Sequence, residues 1–291
     1  MKQKRALITG ATGNVGQAVI EFLNEIHDTE LLSIHAGVRS KEKAAGKFPD
    51  SVSLITFDFE DQTTHEAAFE DVDVLFLLRP PQISDVKGVF APMLNTAVKC
   101  GINKVVFLSV QGVESSSVIP HHKIEAIIRK LQFEYVFLRP SYFMQNLTTT
   151  LLPEIRNKRT ITLPSANAVF NWIDVKNIGE VGAYAVNDFE SFRNRAIELT
   201  GEENLNFKEV ANLLSKTLDL QITYRPVSPF TFFFQKAKNS SLGYAFVVTM
   251  LHFLPRVQNA PIINHNFLEI CGSPPTRLED FITRERKQFT P

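Results

Sequence analysis

The run Gly10-Ala11-Thr12-Gly13-Asn14-Val15-Gly16 has glycines spaced as in a loop that cradles a pyrophosphate. Lacking a Cβ, Gly10 permits a tight turn and Gly13 lets backbone N–H groups approach an anion. Gly16 lets the following helix lie close to the preceding strand, and the helix N-terminus supplies oriented donors and a partial positive charge. The chemistry implied is the binding of a dinucleotide. No Ser-His-Asp arrangement, His-Glu-x-x-His pair or Walker loop accompanies it, so hydrolase and nucleotide-triphosphatase readings find almost no support.

Such a loop functions only between a strand and a helix, and the sequence supplies both. Leu7-Ile8-Thr9 reads as a strand and Gln17 to Ile26 as an amphipathic helix. Strands are then expected at 31–38, 52–57, 72–78, 104–109 and 135–138, with helices at 40–48, 63–69, 86–99 and 119–131 between them. Val72 to Leu78 is almost continuously apolar, as suits a strand buried on both faces of a parallel sheet, and Arg79-Pro80-Pro81 ends it. This alternation predicts an α/β fold, a doubly wound parallel sheet with every strand's carboxyl end on one edge. Residues 1–150 are expected to form that core, with 170–200 returning to it. Residues of roughly 150–170 and 201–291 form a smaller C-terminal cap domain for substrate. A helix over Phe207 to Leu218, capped by Asn206, opens the later part. Beyond residue 220 prolines interrupt the pattern, Phe230-Thr231-Phe232-Phe233-Phe234 forms an aromatic cluster, and Tyr244 to Leu254 reads as a buried helix too short to span a bilayer.

The residue ending the second strand selects the nucleotide. An acid there binds the ribose hydroxyls of NAD, whereas an arginine suits the extra phosphate of NADP. Here Arg39 stands at that point with Lys43 one helical turn further and no acid nearby, so NADP(H) is expected in preference to NAD(H).

The 291 residues carry 31 basic and 31 acidic side chains. That balance argues against a nucleic-acid or membrane-surface binder, and neither is expected as a partner. Cys100 and Cys271 match no zinc or Cys-x-x-Cys spacing, so no metal site is expected. Two reduced cysteines, with Met1-Lys2-Gln3-Lys4-Arg5 running directly into the first strand, predict a cytoplasmic protein.

The segments ITGATGNVG, AGVRS, Phe57-Asp58-Phe59, LLRPP, Phe107 to Gly112, HHKIE, RPSYFMQN, NWIDVKNIG and IELTGE together resemble the NmrA-like branch of the atypical short-chain dehydrogenases/reductases. The likeness runs through most of the first 200 residues and is loose after about residue 220. It implies an NAD(P)-binding Rossmann domain with a small C-terminal substrate domain. The family includes quinone and dye reductases, isoflavone-type reductases and non-enzymatic redox sensors. Position by position, the resemblance assigns Gly10, Thr12, Gly13, Asn14, Val15 and Gly16 to the pyrophosphate and Arg39 to the 2′-phosphate. It places Asp58 and Phe59 at the adenine, and Leu78, Arg79 and Pro80 in the loop under the ribose. Ser109, Lys123, Pro140, Tyr142 and Phe143 fall around the nicotinamide.

Conventional members of the superfamily use a Tyr-x-x-x-Lys pair, the lysine lowering the phenol's pKa for acid–base work. In this chain Lys123 is in place as the candidate catalytic residue, but Ile119 stands where the tyrosine would be. An ordinary carbonyl reductase or sugar epimerase is thereby disfavoured. Reduction of a quinone-like or other conjugated acceptor is expected, because solvent can protonate its product. His121 and His122 offer a proton relay at the helix start. Asp174 and Trp172 are expected to serve packing. A non-catalytic NADP-binding redox sensor is the alternative, and a homodimer or a regulatory protein partner stays open.

Overall fold

The computed structural model describes residues 3–289 except 116 and 118. Met1, Lys2, Thr290 and Pro291, at the outer ends of the expected domains, lie outside the described residues. The strands, in chain order, are β1 Lys4–Ile8, β2 Leu32–Val38, β3 Val52–Thr56, β4 Val74–Leu78, β5 Lys104–Leu108 and β6 Glu134–Pro140. There follow β7 Tyr142–Phe143, β8 Thr160–Leu163, β9 Val169–Ile173, β10 Arg195–Leu199, β11 Asn204–Asn206 and β12 Thr223–Pro226.

The chain divides into two compact units, one of residues 1–140 with 175–199 and the other of 141–174 with 200–291. The first crossover thus comes at Pro140, earlier than the residue 150 read from the sequence, and the return comes at Val175.

The first unit is a Rossmann sheet flanked by helices. Its seven strands are ordered β10-β6-β5-β4-β1-β2-β3, and every neighbouring pair is parallel. Central β4 buries Val74, Leu75, Phe76 and Leu77 because helices cover both faces of the sheet. The helix Asn14–Ile26 turns Val15, Ala18, Val19, Ile20 and Leu23 inward. It lies so close to the returning helix Val175–Asn187 that a Cβ on Gly179 would sit 2.5 Å from that of Ala18.

Two helices depart from expectation. The one expected over 40–48 is confined to Lys41–Ala44, since Ala45 leaves helical geometry and Gly46 adopts a positive φ of 74°. That expected over 86–99 begins as a π-helical turn, Val86–Phe90, and becomes α-helical at Ala91–Lys99. Pro92 is the cause: with no N–H to donate, it cannot continue a regular ladder from the preceding turn.

The second, smaller unit contains a three-stranded sheet, β11-β9-β7, and the parallel pair β12-β8. Trp172, Phe207, Leu214 and Phe281 anchor its core. Asn206 caps the helix Phe207–Leu218 in a capping box with Glu209. The aromatic cluster is not a plain core, because Phe232 is buried while Phe230 and Phe234 are exposed. The expected buried helix occurs as Leu242–Phe253 but buries only Ala245, Val248, Thr249 and His252.

Candidate cofactor-binding site

Parallel pairing puts the carboxyl ends of β1 to β6 on one edge, and the loops leaving that edge carry most of the residues singled out from the sequence. The glycine loop is held from below. Thr9 donates its hydroxyl to the Phe76 carbonyl at 3.0 Å and accepts the Leu78 N–H at 3.2 Å, tying the end of β1 to that of β4. Gly10 has a φ of 58°, and a Cβ there would lie 2.6 Å from the Leu78 side chain, so both conformation and space require glycine. A Cβ on Gly16 would collide with the Gly10 carbonyl.

Thr12, Gly13 and Asn14 are exposed. The helix that starts at Asn14 has Gly13 at its N-cap, no side-chain cap and no acid in its first turn. Its leading N–H groups therefore have no side chain competing for them, and Val15 turns inward as the first core contact. The cradle fits a dinucleotide pyrophosphate.

Arg39 and Lys43 are both exposed at and just beyond the end of β2. One acid does stand close by: Glu42 accepts the Ser40 hydroxyl at 2.7 Å, while Ser40 caps the short helix by accepting from the Lys43 N–H. The sequence reading overlooked Glu42. After β3, the Asp58 N–H donates to the Thr64 hydroxyl oxygen and its carboxylate accepts the Glu60 N–H. Phe59 turns its ring inward between Phe57 and Phe90, so only its main chain is free for an adenine.

The loop after β4 is organised by Arg79. Its guanidinium donates to the carbonyls of Pro80, Pro81 and Ile83 and to Nε2 of His121 at 3.4 Å. His121 is therefore an acceptor, and burial, with the neighbouring Arg79 cation, pushes its pKa down to about 3. The Nδ1–H of His122 donates to the Val113 carbonyl at 3.1 Å. His121 is thus held neutral with its ring proton on Nδ1, and His122 is tied to the loop before the helix.

Lys123 is exposed on the helix Pro120–Lys130, whose inner face is Ile124, Glu125 and Ile128. Ile119 lies outside this helix, at its N-cap in extended geometry. Ser109 follows β5, and its N–H donates to the Leu138 carbonyl. Pro140 is buried at the end of β6, where its carbonyl accepts from Gln111.

Tyr142 and Phe143 belong to the second unit, where they pair with Trp172 and Ile173 of β9. The Tyr142 ring sits edge-on to Phe170, Trp172 and Phe207, and its hydroxyl donates to Nε2 of His252 at 2.9 Å. Burial pushes its phenol well above the ordinary tyrosine range. Trp172 is fully buried and donates to the Leu205 carbonyl, while Asp174 accepts from Gln145 and Arg284, which is the packing role expected.

One feature of the edge escaped the sequence. Glu125, 2% exposed, accepts the Ser109 hydroxyl at 2.7 Å and both Nε and Nη2 of Arg139 at 3.1 and 2.8 Å. Arg129 and Glu114 extend this network at its exposed side. Its signal was a carboxylate between two inward isoleucines, and an arginine directly after the apolar run Val136-Phe137-Leu138.

Among the described residues no group of metal-ligating side chains occurs, and no helix is long and apolar enough to cross a membrane. Cys100 and Cys271 form no disulfide with each other.

A family model for the NmrA-like family matches residues 2–253. The prestalk A differentiation protein A of Dictyostelium discoideum is 31% identical over 224 residues, covering 77% of this chain and 72% of that protein. An NAD(P)H azoreductase of Xenophilus azovorans is 26% identical, covering 81% and 80%. Among solved structures, a Citrobacter sp. triphenylmethane reductase complexed with NADP(H) superposes with a TM-score of 0.83 at 20% identity, over 97% of this chain and 99% of that one.

Proposed function

Since the chain belongs to the NmrA-like family, we propose that it is an NAD(P)H-dependent oxidoreductase that prefers NADPH and reduces a quinone-like or other conjugated small molecule. The observation that carries this reading is Lys123, retained and exposed on its helix, beside Ile119, which has no proton to give. An acceptor whose reduced form takes its proton from water needs no phenol. The azoreductase relative, named for another conjugated acceptor, supports the same class.

When bound, the dihydronicotinamide supplies a hydride. Gly10, Thr12, Gly13, Asn14, Val15 and Gly16 hold the pyrophosphate, with Arg39 and Lys43 on the 2′-phosphate. Asp58 and the Phe59 main chain flank the adenine. Leu78, Arg79 and Pro80 shape the loop under the ribose, Arg79 acting by ordering it. Ser109 and Pro140 border the nicotinamide side, whereas Tyr142, its ring packed on Phe170, Trp172 and Phe207 of the second unit, does not serve as an acid. Lys123 hydrogen-bonds the nicotinamide ribose and stabilises negative charge developing on the acceptor.

The test is a side-by-side titration with NADPH and NADH, followed by a quinone and azo-compound panel. Arg39→Ala is expected to weaken NADPH about tenfold or more, the scale of a lost charge-assisted contact, and to leave NADH nearly unchanged. Equal or tighter NADH binding by the wild type sinks the nucleotide preference. Lys123→Ala is expected to cut kcat with the melting temperature unchanged, because the side chain is exposed. Tight NADPH binding with no turnover across the panel would favour the second reading, a dinucleotide-sensing regulatory protein, to which the missing phenol at Ile119 also points.

A further inference from the structure

The helices Pro229–Ala237 and Leu242–Phe253 pack on one another within the second unit. In Leu242–Phe253 the inward side is Ala245, Val248, Thr249 and His252. Residues on the opposite side should be polar if that side met only water. Instead it presents Leu242, Phe246 and Leu251, which are 68%, 56% and 49% exposed. The neighbouring helix adds Phe230 and Phe234, one turn apart and 76% and 62% exposed. Side chains of this size grouped on consecutive helices mark a contact surface.

The charges around it say what kind. Between Asp219 and Glu269 the chain has no acidic residue, although acids number 31 in 291 overall and a stretch of that length would ordinarily hold several. The same stretch carries Arg225, Lys236, Lys238 and Arg256. The Lys236 ammonium lies 5.3 Å from the centre of the Phe232 ring, and the Arg256 guanidinium at the same distance from that of Phe253. Their stems thus run along apolar surface while the cationic ends remain at its margin. A net charge of zero for the whole chain conceals this local excess.

We infer that this helix pair is a docking surface for an anionic lipid membrane, its aromatic and aliphatic side chains entering the headgroup boundary and its cations meeting lipid phosphates. Exposed apolar side chains on helices of a segment whose only charged residues are basic are the pattern of interfacial helices. A second copy of the chain is a poorer fit, because a two-fold contact through the same face brings like charges together. The attachment is peripheral, since no helix among the described residues can cross a bilayer. It is independent of hydride transfer.

Flotation of the full chain with phosphatidylcholine vesicles, with and without phosphatidylglycerol, tests the assignment. Binding to the anionic vesicles is expected to exceed that to neutral ones about tenfold and to weaken at high salt. Phe246→Ser with Leu251→Ser is expected to abolish it with the far-ultraviolet spectrum and melting curve retained. If that variant fails to fold, Lys236→Glu with Lys238→Glu, both at the margin, is expected to erase the preference for anionic lipid. Absence of binding to either vesicle overturns the inference, as does binding that neither variant alters. Sedimentation without lipid covers the remaining occupant: a dimer that Phe246→Ser disperses would assign the face to a second copy and overturn it too.

Discussion

Glu125 is a carboxylate almost without water, and it is tolerable because Arg139 grips it through two N–H groups and Ser109 through a hydroxyl, with Arg129 adding one N–H from the exposed side. Removing one partner of such a pair leaves the other charge buried and uncompensated. Arg139→Leu is therefore expected to lower unfolding stability by about 3–5 kcal/mol. Adding Glu125→Leu to it should recover most of that loss, because two apolar side chains replace two charges. Urea denaturation of the wild type, the single and the double variant checks this. A single variant as stable as the wild type would show the pair to be idle. The glycine loop was readable beforehand because its constraints are local, a turn at Gly10 and a close approach at Gly16. The Glu125–Arg139 pair was not, since its members belong to separate segments and meet only when the helix Pro120–Lys130 docks beside β6. For the same reason the resemblance, which places Arg79 in the loop under the ribose, does not reveal that its donors are held by carbonyls of that loop and by His121.

Alternating apolar strands and amphipathic helices made the doubly wound sheet legible, and its strand order follows from right-handed crossovers. What alternation does not reveal is how tightly elements approach. The helix that opens at the glycine loop is fixed by the one returning at Val175–Asn187, through Gly179 against Ala18 and Gly182 against Val19. Gly179→Ala places a methyl where a Cβ would meet both the Ala18 side chain and its backbone. The expected cost is about 1–3 kcal/mol, the usual range for overpacking. Adding Ala18→Gly should recover only part of it, because the backbone atoms remain in the way. Thermal melts of the three variants decide the matter, and full recovery would mean that the backbone yields freely. The later helices were harder to read. An apolar run such as Leu242–Phe253 looks the same in sequence whether both its sides are buried or one is left open, and only packing distinguishes them.

At the scale of the whole molecule, acid should act on both units at once through histidines kept neutral by burial. In the first unit His121 is held at a pKa of about 3 by burial and by Arg79, and half-buried His35 at about 4 by burial and by Arg5. In the second, burial holds His252 at about 4, with the Lys236 cation also opposing its charge. His252 donates from Nδ1 to the Val248 carbonyl, so Nε2 is the acceptor of the Tyr142 hydroxyl. Protonation there would set two donors against each other inside an aromatic enclosure. The unfolded chain takes up these protons near pH 6.5, whereas the folded one resists until about pH 4 or below. Between those values the unfolded state binds more protons, so stability is complete above about pH 6.5 and falls as the solution becomes more acidic. For His252 alone the loss from pH 7 to pH 5 is about 2 kcal/mol by linkage. His252→Gln is accordingly expected to lower stability at pH 7 yet to flatten its decline toward pH 5 by about that amount, as read from urea melts across the pH series. An unchanged slope would mean that His252 titrates alike in the folded and unfolded protein, and a steeper decline that it is charged when folded, with its hydrogen bond to Tyr142 running the other way.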